Sequence, residues 1–291
     1  MNIVSAFNFL SKIMISAFIF ALLFVNLHSQ EKYDNGTDLP EGAFSKAIED
    51  NSFLIEEAYN QETGVVQHIF TGMQNFTPIK NWEFSFTQEW PLWGQTNQFS
   101  YTVLYNSFNS GEVGGFGDLL INYRYQLTGK DDYAAMSPRL SLILPIGDKD
   151  KGLGNGIPGV QFNFPLSKRI AESLTFHFNA GFTLFPGFKT MNAQSEEIST
   201  LLNYYNVGAS LIWLATYNLN FMFELISGNN NTVDGNGNIN YFNETIINPG
   251  FRYAIDIGDL QIVPGLAFPI TFSEGETASG AFLYLSFEHP F

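Results

Sequence analysis

The sequence predicts an all-β protein, a transmembrane antiparallel β-barrel of about twelve strands. Segments of about ten residues that alternate apolar and polar side chains recur through most of the chain, as expected for strands with one face in lipid and one in a lumen. Beyond the N-terminal stretch, no apolar run approaches the roughly 20 residues that a membrane helix needs. A closed barrel is the other structure that satisfies every backbone group in lipid.

The N-terminus has the pattern of a secretory signal peptide. Lys12 precedes an apolar run over residues 13–25, which is shorter than a membrane span of roughly 20 residues. We therefore predict a signal peptide over residues 1–29 with cleavage near Ser29, the alternative being an uncleaved anchor. Residues 30–62 are acidic and irregular, and they form either a periplasmic segment or one that enters the lumen. The barrel is predicted for residues 63–291.

The predicted strands follow one another at short intervals from the end of the N-terminal segment to the C-terminus. They lie near residues 65–73, 82–90, 99–105, 119–127, 140–144, 160–166, 174–184, 205–213, 217–225, 251–253, 260–270 and 281–291. An even strand count places both termini on the periplasmic side.

The connections between the strands are predicted to alternate in length. We expect long external loops at 186–202 and 227–240, and a further external loop over Asp148–Gly156. Short periplasmic turns are predicted at 167–169, 215–216 and 256–259.

The C-terminal segment alternates up to a terminal aromatic residue. Leu283, Leu285, Phe287 and Phe291 share one face of a strand. This pattern resembles the signal by which bacterial outer-membrane barrels are passed to their insertion machinery, although His289 stands where that signal prefers an apolar residue. We expect Phe291 to bind that machinery.

Composition and charge narrow the classes of partner. The chain has 28 acidic and 13 basic residues, and loss of Lys12 with the signal peptide leaves 12 basic residues and a net charge near −16. An acidic surface argues against nucleic acid as a partner. Outer-membrane lipid and a small-molecule substrate are the partners expected instead. The chain has no cysteine, so a disulfide framework and a lipid-modified cysteine are excluded.

Charged side chains within the strands are predicted to face the lumen. An Arg or Lys on the lipid face at mid-depth would cost roughly 2–4 kcal/mol. These groups either line a polar passage or form ion pairs that fill the interior, because barrels of 8 strands are filled and those of 16 hold a channel. The candidate lumen residues are Glu83, Glu89, Asp118, Arg124, Arg139, His177, Glu224, Arg252 and Glu288.

An enzyme is the rival class. Barrel hydrolases need a Ser–His pair with a third orienting residue, and His68, His177 and His289 are the histidines left after signal removal. His177, between Thr175 and Asn179, is either a hydrogen-bonded interior residue or part of such a site. We expect no catalytic residue, cofactor or metal, because three scattered histidines without cysteine show no metal-ligand spacing.

Several stretches carry a resemblance to a known family. They are residues 51–62 with 64–68, residues 115–120 running into 122–125, and residues 144–148 with 152–156. Over residues 50–291 the chain resembles the outer-membrane family named for the meta pathway of phenol degradation, which is similar in architecture to long-chain fatty-acid channel proteins. The resemblance implies passive uptake of small hydrophobic or aromatic compounds across the outer membrane of a Gram-negative bacterium. A plugged structural barrel and a lipid-modifying enzyme are the alternatives.

Overall fold

The computed structural model describes Ile48 and residues 52–76, 80–234 and 236–291. The predicted signal peptide and residues 30–47 lie outside the described residues. Within the described ranges, no helix is long and apolar enough to cross a membrane. The described residues include two short 3-10 turns, Asn109–Gly111 and Lys149–Lys151.

The described residues form a single antiparallel sheet of 16 strand segments that closes on itself, because the first segment pairs with the last. In chain order the segments are β1 (Val65–Asn75), β2 (Asn81–Leu92), β3 (Asn97–Phe108), β4 (Val113–Phe116), β5 (Leu119–Tyr125), β6 (Ala135–Met136), β7 (Arg139–Leu144), β8 (Gly159–Ala171), β9 (Leu174–Met191), β10 (Glu197–Leu214), β11 (Leu219–Val233), β12 (Ile239–Tyr253), β13 (Ile255–Ile257), β14 (Leu260–Ala267), β15 (Ile270–Ser273) and β16 (Glu276–Pro290).

Four pairs of consecutive segments each make one interrupted strand: β4 with β5, β6 with β7, β12 with β13, and β14 with β15. Each pair occupies one position in the sheet, between the same two neighbours or continuing the same register. A proline marks two of the interruptions, Pro138 and Pro269, as expected for a residue that cannot donate to the ladder. The barrel therefore has twelve strands, and the predicted fold class is confirmed.

Alternation along each strand separates the two faces of the barrel. In β11, Phe221 and Phe223 are each 43% exposed, whereas Met222 between them is 3% exposed and Glu224 is fully buried. A strand points successive side chains to opposite faces, so the exposed face of large apolar groups is the outside. That exterior is the surface of a barrel that spans a membrane.

The turn between β8 and β9 corrects one prediction. Residues 167–169 belong to β8, and the turn consists of Glu172 and Ser173. Lys168 points outward, where its Nζ lies 3.1 Å from the centre of the Tyr133 ring, and the Arg169 Nε donates to the Glu172 carbonyl over 3.2 Å. The polar run was wrongly assigned to a loop because basic side chains at a membrane edge can extend towards water from within a strand.

Two predicted long loops are also wrong. Strands β9 and β10 extend until residues 192–196 connect them, whereas β11 extends to Val233 and β12 begins at Ile239. Asparagines in the extension of β11 bind the neighbouring strand β10: Asn229 Oδ1 accepts from the Tyr205 N–H over 2.6 Å, and Asn231 Nδ2 donates to Tyr204 Oη over 2.6 Å. Cross-strand pairs of this kind stabilise sheet where asparagine alone would favour a turn.

The interior is less polar than simple alternation predicts. An apolar cluster occupies part of it, formed by inward residues of five strands together with Ile48 and Phe53 from the N-terminal segment. Its wall members include Ile212, Met222, Val263, Phe282 and Tyr284. The lumen therefore has an apolar region as well as a charged one.

Candidate lumen site

Residues 52–62, named the strap here, lie inside the barrel without regular secondary structure. The side chains of Ile55, Ala58 and Asn60 are at most 3% exposed. Because a segment without helix or sheet leaves its own backbone groups unpaired, the barrel wall must supply hydrogen-bonding partners for them.

Glu224 on β11 supplies the first of these partners. Its Oε1 accepts hydrogen bonds from the backbone N–H groups of Phe53 and Leu54 over 3.0 Å and of Ile55 over 3.2 Å. Its Oε2 accepts a further bond from Asn248 Nδ2 over 2.7 Å. Hydrogen bonds from several N–H groups can stabilise a buried carboxylate in the place of water.

Four further wall residues continue the series along the strap. Each accepts a hydrogen bond from a strap N–H: Asn179 from Glu56 over 2.8 Å, Ser167 from Ala58 over 2.6 Å, Gln126 from Asn60 over 2.8 Å and Gln98 from Gln61 over 2.6 Å. The contacts thus pass from β11 through β9 and β8 to the end of β5 and then to β3. The wall therefore binds the backbone of the strap along most of its length.

Strap carbonyl groups and the preceding chain are bound as well. Asn179 Nδ2 donates to the Glu56 carbonyl over 2.7 Å, and Gln126 Nε2 donates to that of Ala58 over 2.6 Å. The Ile48 carbonyl accepts from Asn220 Nδ2 over 2.5 Å and from Arg252 Nη2 over 2.8 Å.

The strap also carries the counter-ions of two wall arginines. Arg124 donates to Glu56 over 3.1 Å and to Glu57 over 3.4 Å, and Arg139 binds Glu56 through Nε over 2.9 Å and Nη2 over 2.5 Å. The side chain of Arg124 is 4% exposed, so breaking these pairs would leave an uncompensated buried charge, which typically costs about 3–5 kcal/mol.

Phe53 fixes the apolar end of the strap. Its ring lies 5.6 Å from the ring centres of both Phe282 and Tyr284. Gly250 and Gly265 form the recess beneath it, because a Cβ atom at either position would come within 2.6 Å of the ring. The ring fits there because neither of these two strand positions has a side chain.

A cavity of about 330 Å³ remains between the strap and the wall formed by β1, β2 and β3. Hydroxyl groups line the wall side and are paired across strands, Thr71 with Ser85 over 2.6 Å and Thr87 with Thr102 over 2.9 Å. A second part is lined by apolar groups, those of Phe53, Ile69, Phe282 and Tyr284. A third part is lined by charged groups of the strap and the wall, those of Glu56, Glu57, Glu89, Arg124 and Arg139. The cavity therefore offers both apolar and polar contacts to one small molecule.

The predicted lumen residues have different surroundings. Arg124, Arg139 and Glu224 bind the strap, Arg252 binds the Ile48 carbonyl, and Glu89 is buried in the cavity wall. Glu288 accepts a bond from Gln61 of the strap over 3.3 Å, whereas Glu83 is exposed near the start of β2. Asp118 serves a loop, since its two carboxylate oxygens accept from the N–H groups of Gly147 and Asn155 over 3.0 Å each.

His177 is fully buried beside the strap. Its Nδ1 lies 2.6 Å from Ser167 Oγ, and its ring is edge-on to Tyr59. Ser167 Oγ already accepts from Ala58 N–H and is itself inaccessible. The Ser–His contact therefore holds the strap in place.

Sequence reasoning missed the partners of these residues. The roles of Ser167, Gln98, Gln126 and Ser210 depend on the strap, which lies more than thirty residues away along the chain. The acidic pair Glu56–Glu57 was a usable signal, because inward arginines of a barrel need carboxylate partners.

Comparison with solved structures agrees with this architecture. The outer-membrane channel from Pseudomonas putida F1 superposes with a TM-score of 0.61 at 12% identity, over 80% of this chain and 98% of the channel. The NanC porin superposes with a TM-score of 0.50 at 11% identity, over 77% of this chain and all of the porin. No known family profile matches the sequence, and no curated protein is similar to it. The chain thus has the fold of an outer-membrane β-barrel, the class in which porins and channels are found.

Proposed function

We propose that this protein is a passive outer-membrane channel for small hydrophobic or aromatic compounds, which pass through the space left beside the strap. The observation that carries the proposal is the cavity of about 330 Å³. Binding sites for small molecules are concave and combine apolar surface with placed polar groups. This cavity joins an apolar part at Phe53, Phe282 and Tyr284 to a larger polar part.

The finer assignment follows the resemblance stated above. Membership of the meta-pathway family would account for the aromatic substrate class, and the apolar part of the cavity at Phe53, Phe282 and Tyr284 supports it. Delivery by the barrel-insertion machinery is part of the same proposal. Phe291 is 72% exposed and its N–H donates to the Gly64 carbonyl over 3.0 Å, which leaves its ring available to a partner at the seam of the barrel.

Flux through liposomes tests the channel. The chain without residues 1–29 is refolded into liposomes, and entry of an aromatic glycoside that does not cross lipid is followed by swelling. Thr102→Phe places a ring in the cavity and should at least halve the rate. Val103→Phe, the next residue with its side chain on the opposite face, is the matched control and should leave the rate unchanged.

A plugged structural barrel is the second candidate, and the dense binding of the strap favours it. Folded wild-type protein that admits neither solute nor ions would establish that reading and overturn the channel. Equal rates for Thr102→Phe and Val103→Phe would place the passage elsewhere. Lipid hydrolysis lost in Ser167→Ala would instead support the enzyme.

A further inference from the structure

We infer that His68 and His289 form a binding site for a divalent transition metal on the outer surface of the barrel, at the seam between its first and last strands. The two residues are far apart in the sequence, but β1 pairs with β16. In that register His68 lies opposite Phe287 and His289 opposite Val66, so the histidines are diagonal neighbours on one face. This inference does not depend on the proposed channel.

The geometry of the two rings suits a shared metal ion. Their Nε2 atoms lie 3.4 Å apart, which is longer than the 2.7–3.2 Å of an ordinary hydrogen bond. A zinc ion about 2.05 Å from each nitrogen would subtend an N–Zn–N angle of about 110°, the tetrahedral value. The same placement puts the ring centres about 5.3 Å apart, and they are 5.4 Å apart here.

The second ring nitrogen of His289 is already oriented for this role. Its Nδ1 lies 2.9 Å from the Pro290 carbonyl oxygen, to which it donates, and this leaves the Nε2 lone pair directed at His68. A backbone carbonyl that accepts from the far nitrogen is the usual support for a metal-binding histidine. Phe86 and Phe287 contact the His68 ring and restrict its position.

The chemical class of the ion follows from the ligands. Imidazole nitrogen suits zinc, copper and nickel, whereas calcium and magnesium require oxygen ligands. Among the described residues no cluster of three or more candidate ligands exists, so water completes the coordination. Binding would join the two strands that close the barrel, and it would stabilise the folded chain because the unfolded chain does not hold the two histidines together.

Zinc titration of the tag-free protein in detergent tests the site. The chain has four histidines; His28 lies in the predicted signal peptide and His177 is fully buried, so an exposed histidine site can come only from this pair. We expect one zinc ion per barrel by calorimetry. His68→Gln and His289→Gln should each weaken binding about tenfold or more, since even supporting residues are worth 10–100-fold. Asp256→Asn, an exposed carboxylate near the same end, is the control and should bind as the wild type does.

X-ray absorption and stability provide independent measurements. Zinc-loaded wild type should show two imidazole nitrogens at about 2.0 Å. Zinc should raise the urea midpoint of the wild type but not of either variant. Zinc binding that both variants retain would be adventitious and would overturn the inference, as would the absence of saturable binding.

Discussion

Glu224 illustrates how one inward side chain determines the course of a distant segment. It accepts three consecutive N–H groups of the strap, and it is fully buried. The strap residues that it binds lie about 170 positions earlier in the chain. Without the carboxylate, these three amides would lose their hydrogen-bonding partner on the wall.

Glu224→Ala should therefore destabilise the barrel by about 3 kcal/mol or more, since each unsatisfied buried donor costs roughly 1–3 kcal/mol. The measurement is the free energy of unfolding in urea with the protein in lipid vesicles. Glu62→Ala, at an exposed position just beyond the bound part of the strap, is the control and should change it by less than about 0.5 kcal/mol. Similar losses for both variants would show that Glu224 does not hold the strap.

At the residue scale, the sequence predicts which face of the barrel a side chain points to, but it does not predict which residue that side chain binds. Alternation placed Arg124, Arg139 and Glu224 on the inner face because each strand fixes its own register. It could not pair them with the strap, since that segment has no period and its contacts are long-range. The role of Gly250 and Gly265 could not be predicted either, because they are needed to make room for the Phe53 ring, which lies far away in the sequence.

At the scale of elements, the strap behaves as a bound ligand of the barrel. Five wall residues accept from its backbone N–H groups between Phe53 and Gln61. Holding an irregular segment requires such contacts along its length, because ordering each residue costs about 1–2 kcal/mol of conformational entropy. The passage should accordingly run beside a stationary strap.

A disulfide between strap and wall tests that statement. Ser52 Oγ and Ser210 Oγ lie 2.9 Å apart, and the chain has no native cysteine. Ser52→Cys with Ser210→Cys should form a disulfide under mild oxidation, seen as loss of maleimide labelling, and the flux should stay unchanged. Ser52→Cys with Ser85→Cys, on the other side of the cavity, is the control and should remain labelled. A flux that stops on oxidation and returns on reduction would mean that the strap has to move.

The strands themselves were largely predictable, and their ends were not. A period of two identifies the centre of a membrane strand, because lipid demands apolar groups on one face. Beyond the membrane the outer face does not have to be apolar, so the Asn-rich and Tyr-rich extensions of β9 to β12 were predicted to be loops. Their pairing depends on contacts such as that of Asn231 with Tyr204, which cannot be read from composition.

At the scale of the whole molecule, the apolar outer face makes the barrel stable in lipid. Phe223→Arg puts a charge on the outward face of β11 and should cost about 2–4 kcal/mol in lipid vesicles. Met191→Arg, at the outer end of β9 and exposed, is the matched control and should cost little. Urea titration of both variants measures the difference, and equal costs would contradict the assignment of that face to lipid.

Acidic side chains outnumber basic ones among the residues that face the lumen, counting both the inward strand positions and the strap. The guanidinium groups of Arg124 and Arg139 are bound to strap carboxylates, and Arg252 to a strap-side carbonyl. The inward carboxylates are Glu56, Glu57, Glu83, Glu89, Glu224, Glu244 and Glu288. An acidic passage attracts cations and repels anions, over distances set by a Debye length of about 8 Å at physiological salt.

We therefore expect the channel to prefer potassium over chloride at mildly alkaline pH, where carboxylates are ionised. Reversal potentials across a potassium chloride gradient measure this preference. Glu89→Gln in the cavity wall and Glu83→Gln near the start of β2 should each reduce the permeability ratio roughly twofold to fivefold. This is the effect of one charge about 7–10 Å from the ion at an effective dielectric constant of about 20, screened over a Debye length of about 8 Å. Asp131→Asn, an exposed carboxylate in the loop before β6, is the control and should leave the ratio as it is. A chloride preference, or a potassium preference that neither variant reduces, contradicts the prediction.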